Sequence, residues 1–390
     1  MWVAELLAIA GFSVAFPFLP YYIQELGISG EGQVALWSGV IIAAQGVTMT
    51  VFSPIWGALA DRYGRKLMVE RAMFGGALIL SAMALVTNVQ QLVVLRALQG
   101  VFTGTVAAAT TLVAASTPRD RAGYALGLLQ MAVWIGASVG PLLGGLIADA
   151  LSYRAVFWVT GALLLVSGLM VWRFVHEDFT PPPRDQKARG GGYIEGFRIV
   201  LATAGMLALF ASRISVRVGS SLTTPTLPLF IQSLVPPDAR VATITGLISG
   251  AAAATGALSS VLLGRASDRR GYRPVLIVSL VITAVLFVPH YFVTDAWQLL
   301  ILQALVGFSL GGVVASYSTA LANLSPEGRQ GAVYGIDTSV ISAASALAPL
   351  IGASLAAAYG LRLPFLLSAV AIGFSAVLVA AFVPRTPPRQ

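Results

Sequence analysis

The chain has 390 residues, of which 57% are hydrophobic and 10% charged, against roughly 45–50% and about 25% in a soluble domain. So little charge cannot cover a water-facing surface of this size, which excludes a soluble enzyme and places most of the exterior in lipid. Cysteine is absent and the formal net charge is +8; thiolate metal sites and thiol catalysis are excluded, and the excess of cations has to be explained by where they fall.

In chain order, apolar runs of spanning length occur near residues 2–23, 35–59, 67–87, 91–115, 123–150 and 155–175, and again near 197–232, 241–263, 274–293, 297–323, 331–359 and 363–383. These twelve runs predict twelve transmembrane helices, each of about 20 residues or more, the length that crosses a bilayer with every backbone hydrogen bond made internally. The first run lacks a basic leader and ends in Pro17, Pro20, Tyr21 and Tyr22 rather than at a small-residue cleavage site, so it is expected to be retained.

The basic residues sort by loop. With the amino terminus inside, one side collects Arg62, Arg65, Lys66, Arg119, Arg121, Arg184, Lys187, Arg189, Arg198, Arg265, Arg269, Arg270, Arg273, Arg329, Arg385 and Arg389. The other side holds Arg154, Arg240 and Arg362. This imbalance predicts both termini in the cytoplasm of a multi-pass plasma-membrane protein and accounts for the net charge without nucleic acid.

One segment breaks the pattern. From His176 to Glu195 the chain is polar and carries Pro181 to Pro183 and Gly190 to Gly192, the composition of a linker. It divides the chain into two six-helix bundles, 1–175 and 196–390, joined by the cytoplasmic stretch 176–195. The halves repeat at an offset of about 207: Gly57 and Asp61 match Gly264 and Asp268, and Gly100 matches Gly307. One residue further, Arg121, Pro141 and Gly144 match Arg329, Pro349 and Gly352. A repeat this long is a duplicated bundle, and paired membrane repeats are the architecture of secondary transporters. The expected fold is all-α and integral to the membrane, with twelve transmembrane helices in two pseudo-symmetric six-helix bundles.

Between the second and third runs stands Gly57-Ala58-Leu59-Ala60-Asp61-Arg62-Tyr63-Gly64-Arg65-Lys66. A glycine for close helix contact, an acid able to accept from a helix start, a second glycine for the turn and cations in water suit a tight loop between two helices. Its echo is Gly264, Asp268, Arg269 and Gly271. The fifth run places Gly136, Gly140 and Gly144 on one face, with Pro141 and Gly145 beside them, a pattern for near contact of backbones and for a bend. The loop resembles the GxLaDRxGRK signature of the major facilitator superfamily, and GxxxGPxxGG in the fifth run resembles the antiporter motif of its twelve-helix drug:proton antiporter group, the bacterial multidrug and tetracycline exporters. Leu92, Arg96, Gln99 and Gly100 are similar to that group's helix-four pattern. The opening Phe16 to Tyr22, Trp37-Ser38-Gly39 and Ser53-Pro54-Ile55-Trp56-Gly57 also look like these exporters.

The resemblance implies alternating access, with Asp61 docking on the start of the eleventh run in one of two states and Asp268 as a degenerate counterpart. It also implies proton coupling near Arg96, a guanidinium that is costly at such depth unless paired or facing water; the mate of Arg96 is Gln303. Coupling requires a carboxylate that can be neutralised inside the membrane. Glu5 and Asp337 are the candidates, Asp337 alternatively serving the inner gate. Arg213 and Arg217 share one face of the seventh run at i and i+4; with Gln303 and Tyr317 they are expected to line the cavity. His176 and His290 fall at helix or linker ends and do not look like buried relays. The expectation is a proton-driven exporter of small amphipathic compounds, with no enzymatic activity, no cofactor and no metal; no GxxxxGK[ST] motif points to ATP. Two alternatives stay open: a permease for anionic or sugar-like metabolites, which a substrate panel would separate, and a transport-like membrane sensor, which would bind without moving anything.

Overall fold

The computed structural model describes residues 1–102, 104–117, 121–177, 205–325 and 330–384, with single positions 179, 200 and 203. Nearly all of the expected linker and the side chain of Asp61 lie outside the described residues. Among the described residues the regular structure is entirely helical.

The first crossing is α1 (Trp2–Ala15) and α2 (Leu19–Glu25), separated by a 3-10 turn at Phe16–Phe18, where Pro17 has no N–H to continue the ladder. Next come α3 (Glu31–Tyr63) and α4 (Arg65–Met83). The fourth crossing is split into α5 (Val89–Phe102) and α6 (Thr105–Ser116), and α7 (Ala122–Ala150) and α8 (Tyr153–Phe174) complete the first six. The seventh crossing is described as α9 (Met206–Leu222) and α10 (Leu227–Leu234). It is followed by α11 (Val241–Arg270), α12 (Tyr272–Phe287), α13 (Ala296–Leu324), α14 (Gln330–Tyr359) and α15 (Leu363–Phe382). Ten of these crossings are long and apolar enough to span by length and composition alone. The third falls short because it carries Arg65, Lys66, Glu70 and Arg71, and the seventh because its described part is two short helices. Pro141 and Pro349 lie inside α7 and α14 without ending either helix.

The chain forms two compact units: residues 1–183 with 231–250, and residues 184–230 with 251–390. The start of α11 thus belongs with the first unit, although the duplication assigns it to the second bundle. Its attachments are specific. Gly145 sits where a Cβ would lie 2.4 Å from the Ala242 carbonyl oxygen, and one on Gly246 would lie 2.3 Å from that of Pro141. Asp149, at the end of α7, accepts hydrogen bonds from the N–H groups of Ala242 (3.3 Å) and Thr243 (2.7 Å), capping α11. The Tyr21 and Thr245 hydroxyls are hydrogen-bonded at 2.7 Å.

The duplication is visible atom by atom. Thr48 Oγ1 donates to the Ala97 carbonyl at 2.8 Å and, 207 residues on, Thr255 Oγ1 donates to that of Ala304 at 2.7 Å. Tyr22 packs on Phe157 at 4.9 Å between ring centroids, and their mates Phe230 and Phe365 pack at 5.2 Å. The gate-loop glycines agree too: Gly64 has φ +102° and Gly271 φ +88°, a region that a side chain would strain.

Candidate functional site

In the first unit the close approach of α3 and α5 sets the polar centre. A Cβ on Gly100 would lie 2.1 Å from Thr48 Oγ1 and 2.3 Å from the Gln45 carbonyl oxygen, so glycine is needed there, and the approach brings Gln45 beside Arg96. Arg96 is 3% exposed, and its Nη1 donates to Gln45 Oε1 at 3.1 Å. Its polar partner is thus a neutral amide. Glu5 on α1 is fully buried, and neither carboxylate oxygen has a hydrogen-bond partner among the described residues.

The glycine face of α7 packs as its spacing predicts. A Cβ on Gly136 would meet Ala10 N at 2.8 Å, one on Gly140 would meet the Ala10 carbonyl oxygen at 2.7 Å, and one on Gly144 would meet that of Val14 at 2.1 Å. These three glycines hold α1, and therefore Glu5, against α7.

At the gate loop, Arg62 is exposed and lies over the Tyr63 ring, while Gly64 makes the turn into α4. The close helix contact expected at Gly57 is not made: a Cβ there would meet nothing within 4 Å. The docking expected of Asp61 concerns a side chain outside those described. Sequence reasoning missed Glu177, whose carboxylate accepts from the N–H groups of Arg65 (3.0 Å) and Lys66 (2.7 Å) and so caps α4. A glutamate just past the end of α8 carries no local signal for a partner 111 positions away.

In the second unit Arg213 does not stand free. Its Nε lies 2.7 Å from Asp337 Oδ1 on α14, its guanidinium lies 5.5 Å from the Tyr317 ring centroid, and the Tyr317 hydroxyl is hydrogen-bonded to Ser212. Arg213, expected to line the cavity, is thus held in an ion pair with Asp337. Asp337, expected as a proton carrier or gate element, is the partner in that pair. Arg217, one turn on, is exposed and donates to Ser345 Oγ. Gln303 and Tyr317, expected to line the cavity, are buried. Asp268 and Arg269 are exposed. His290 lies at a helix end as expected, and there it is fully buried, stacked between Phe287 and Phe365 with Nδ1 on the Leu286 carbonyl. Aromatic neighbours from another helix are not readable from its surrounding sequence.

Buried charges, paired and unpaired, inside a duplicated set of membrane helices define the class as a polytopic secondary transporter. The Major Facilitator Superfamily model matches residues 1–235 and 209–390, and the chain belongs to that family. It is 34% identical to the multidrug resistance protein MdtG of Enterobacter lignolyticus over 99% of this chain and 91% of the relative. It is 33% identical to the MdtG of Salmonella typhimurium over 96% and 92%. Among solved structures it shares its fold with a single-residue mutant of the nucleoside transporter NupG (TM-score 0.78, 14% identity, 97% of this chain and 98% of that one). It likewise matches a bacterial homolog of the human lysosomal transporter Spinster (TM-score 0.77, 16% identity, 97% and 94%).

Proposed function

We propose that this protein is a proton-coupled exporter of small amphipathic compounds, working by alternating access between bundles 1–175 and 196–390 joined by the linker 176–195. The observation that carries this reading is similarity along nearly the whole chain to relatives named for multidrug resistance. The excess of Lys and Arg in one set of loops supports an inner-membrane location with both termini in the cytoplasm.

Within that cycle Glu5 is the first candidate for the coupled proton. Its carboxylate oxygens have no hydrogen-bond partner among the described residues, so it can gain and lose a proton without breaking a hydrogen bond, and the glycines of α7 set its position. Arg96 tunes that exchange. Asp337 is the second candidate, and a proton taken there would release Arg213 towards the exposed Arg217. Asp61 acts as the inner latch, with Glu177 holding the loop that carries it. The unpaired cations Arg96 and Arg217 favour anionic, zwitterionic or neutral substrates over simple cations.

Everted vesicles carrying the protein, energised by a pH gradient and offered a panel of cationic, neutral and anionic dyes, test the reading. Wild type is expected to accumulate at least one dye in a gradient-dependent way, and Glu5→Gln or Asp337→Asn to abolish this while dye counterflow persists. Full gradient-driven transport in both variants removes both carboxylates from the coupling role; no transport of any dye by wild type removes the export reading.

A further inference from the structure

The fourth crossing is interrupted at Gly104, in a stretch that has no proline. α5 stops at Phe102, α6 starts at Thr105, and Gly104 between them has φ +130° and ψ 17°. α6 is twelve residues long and has no side-chain cap, and its first closing bond runs from the Ala108 N–H to the Gly104 carbonyl. The amides of Thr105, Val106 and Ala107 therefore begin a helix with no intrahelical acceptor, within a crossing where such groups need a partner.

A cation with the same deficit stands beside this break. Arg71 on α4 lies over the Trp56 indole, its guanidinium carbon 3.6 Å from the ring centroid, and the indole N–H donates to the Val101 carbonyl at 2.6 Å. A Cβ on Gly104 would lie 3.9 Å from Arg71 Nη2, so the guanidinium reaches the break. Its Nε and Nη1 are buried and donate to nothing among the described residues. Thr105, 3% exposed at the first position of α6, has an Oγ1 in the same condition. No Asp or Glu occurs between residues 71 and 119, and the adjacent Glu70 is engaged with Lys66.

We propose that the break between α5 and α6, with Arg71, is a binding site for an anionic group, a carboxylate or phosphate-type oxyanion, carried by a transported compound. A planar guanidinium offers two parallel donors to such a group, a helix start adds amides and a favourable dipole, and Thr105 adds a hydroxyl. Half-helix starts at discontinuous crossings serve anionic substrates in this way in other transporter folds. A lipid phosphate offers the same chemistry, and Arg71 lies about 9 Å along the rise from Arg65 at the start of α4, so the lipid arm of the test below separates the two sources. The proposal rests on the export reading only in choosing a transported compound as the occupant.

Fluorescein and rhodamine 123, an anion and a cation on one xanthene body, test it by fluorescence anisotropy with the purified full-length protein in neutral detergent. Arg71→Gln is expected to weaken fluorescein at least tenfold and rhodamine less than twofold, with Thr105→Val weakening fluorescein about threefold. Arg71→Lys, which keeps the charge and loses the fork, is expected to fall between and serves if the glutamine variant does not fold. Absence of saturable fluorescein binding to wild type, unchanged fluorescein binding in the Arg71 variants, or equal loss for both dyes overturns the site. Phosphatidylglycerol that raises the Tm of wild type but not of Arg71→Gln, with fluorescein affinity the same in both, assigns the site to lipid and overturns the transported anion. Failure of the export reading is distinct: it leaves Arg71-dependent dye binding in a protein that moves no dye under a gradient.

Discussion

The two repeats keep the same scaffold and different electrostatics. Thr48 and Thr255 make one hydrogen bond twice over, and Gly100 and Gly307 each sit where a Cβ would lie 2.1 Å from a neighbouring oxygen. Yet the arginine beside that contact in the first unit, Arg96 on Gln45, is replaced in the second by Gln303, with Ala252 at the position of Gln45. The second unit places its buried charge elsewhere, as the Arg213–Asp337 pair between α9 and α14. What recurs at the repeat offset is therefore architecture, and what does not recur is a candidate for chemistry.

The largest effect should come from breaking the pair found in the second unit alone. Asp337→Ala leaves a desolvated guanidinium and is expected to destabilise the protein by about 3–5 kcal/mol, with Arg213→Gln added to it recovering most of the loss in Tm in detergent. A single variant as stable as wild type would show that the pair holds nothing. Next, moving the first unit's charge into the second sharpens the contrast. Gln303→Arg should cost about 2.5–3.5 kcal/mol, the scale for a cation inside a crossing, and Ala252→Gln added to it should return part of that by rebuilding the Arg96–Gln45 contact; no recovery would mean that the two interfaces are not equivalent.

The close-packed glycines should respond alike. A Cβ on Gly144 meets the Val14 carbonyl oxygen at 2.1 Å, and one on its mate Gly352 meets that of Leu222 at 1.9 Å. Gly144→Ala and Gly352→Ala are each expected to lose about 1–3 kcal/mol through overpacking, measured as matched falls in Tm. Smallest is the shared hydroxyl bond: Thr48→Val and Thr255→Val should each lose about 0.5–1.5 kcal/mol. A several-fold difference between these two would break the equivalence that the comparison rests on.

The crossings, the duplication, the turn at Gly64 and the glycine face of α7 were legible because each is a local pattern: length, period, spacing or a turn that only glycine makes. Partners were not. Arg213 and Asp337 are far apart in the chain, and no spacing in either helix says that the two meet. Gln45 is an ordinary amide in an apolar run until α5 approaches it over Gly100. The interruption at Gly104 was hidden because membrane helices tolerate glycine, so composition alone does not separate a bend from a break. The burial of His290 was not legible because part of it comes from Phe365 on α15, far along the chain.

The cap that Asp149 places on α11 also bears on how such a chain is made. The amides of Ala242 and Thr243 need an acceptor as soon as they leave water, and the residue that supplies it is synthesised 93 positions earlier. Vectorial synthesis therefore delivers the acceptor before the donors. A circular permutant opened within residues 176–195 reverses that order: α11 enters the bilayer with its first turn bare and must wait for α7. Its yield of folded protein, compared with that of a permutant opened elsewhere that keeps α7 ahead of α11, measures how much the assembly of this fold depends on the direction in which it is read.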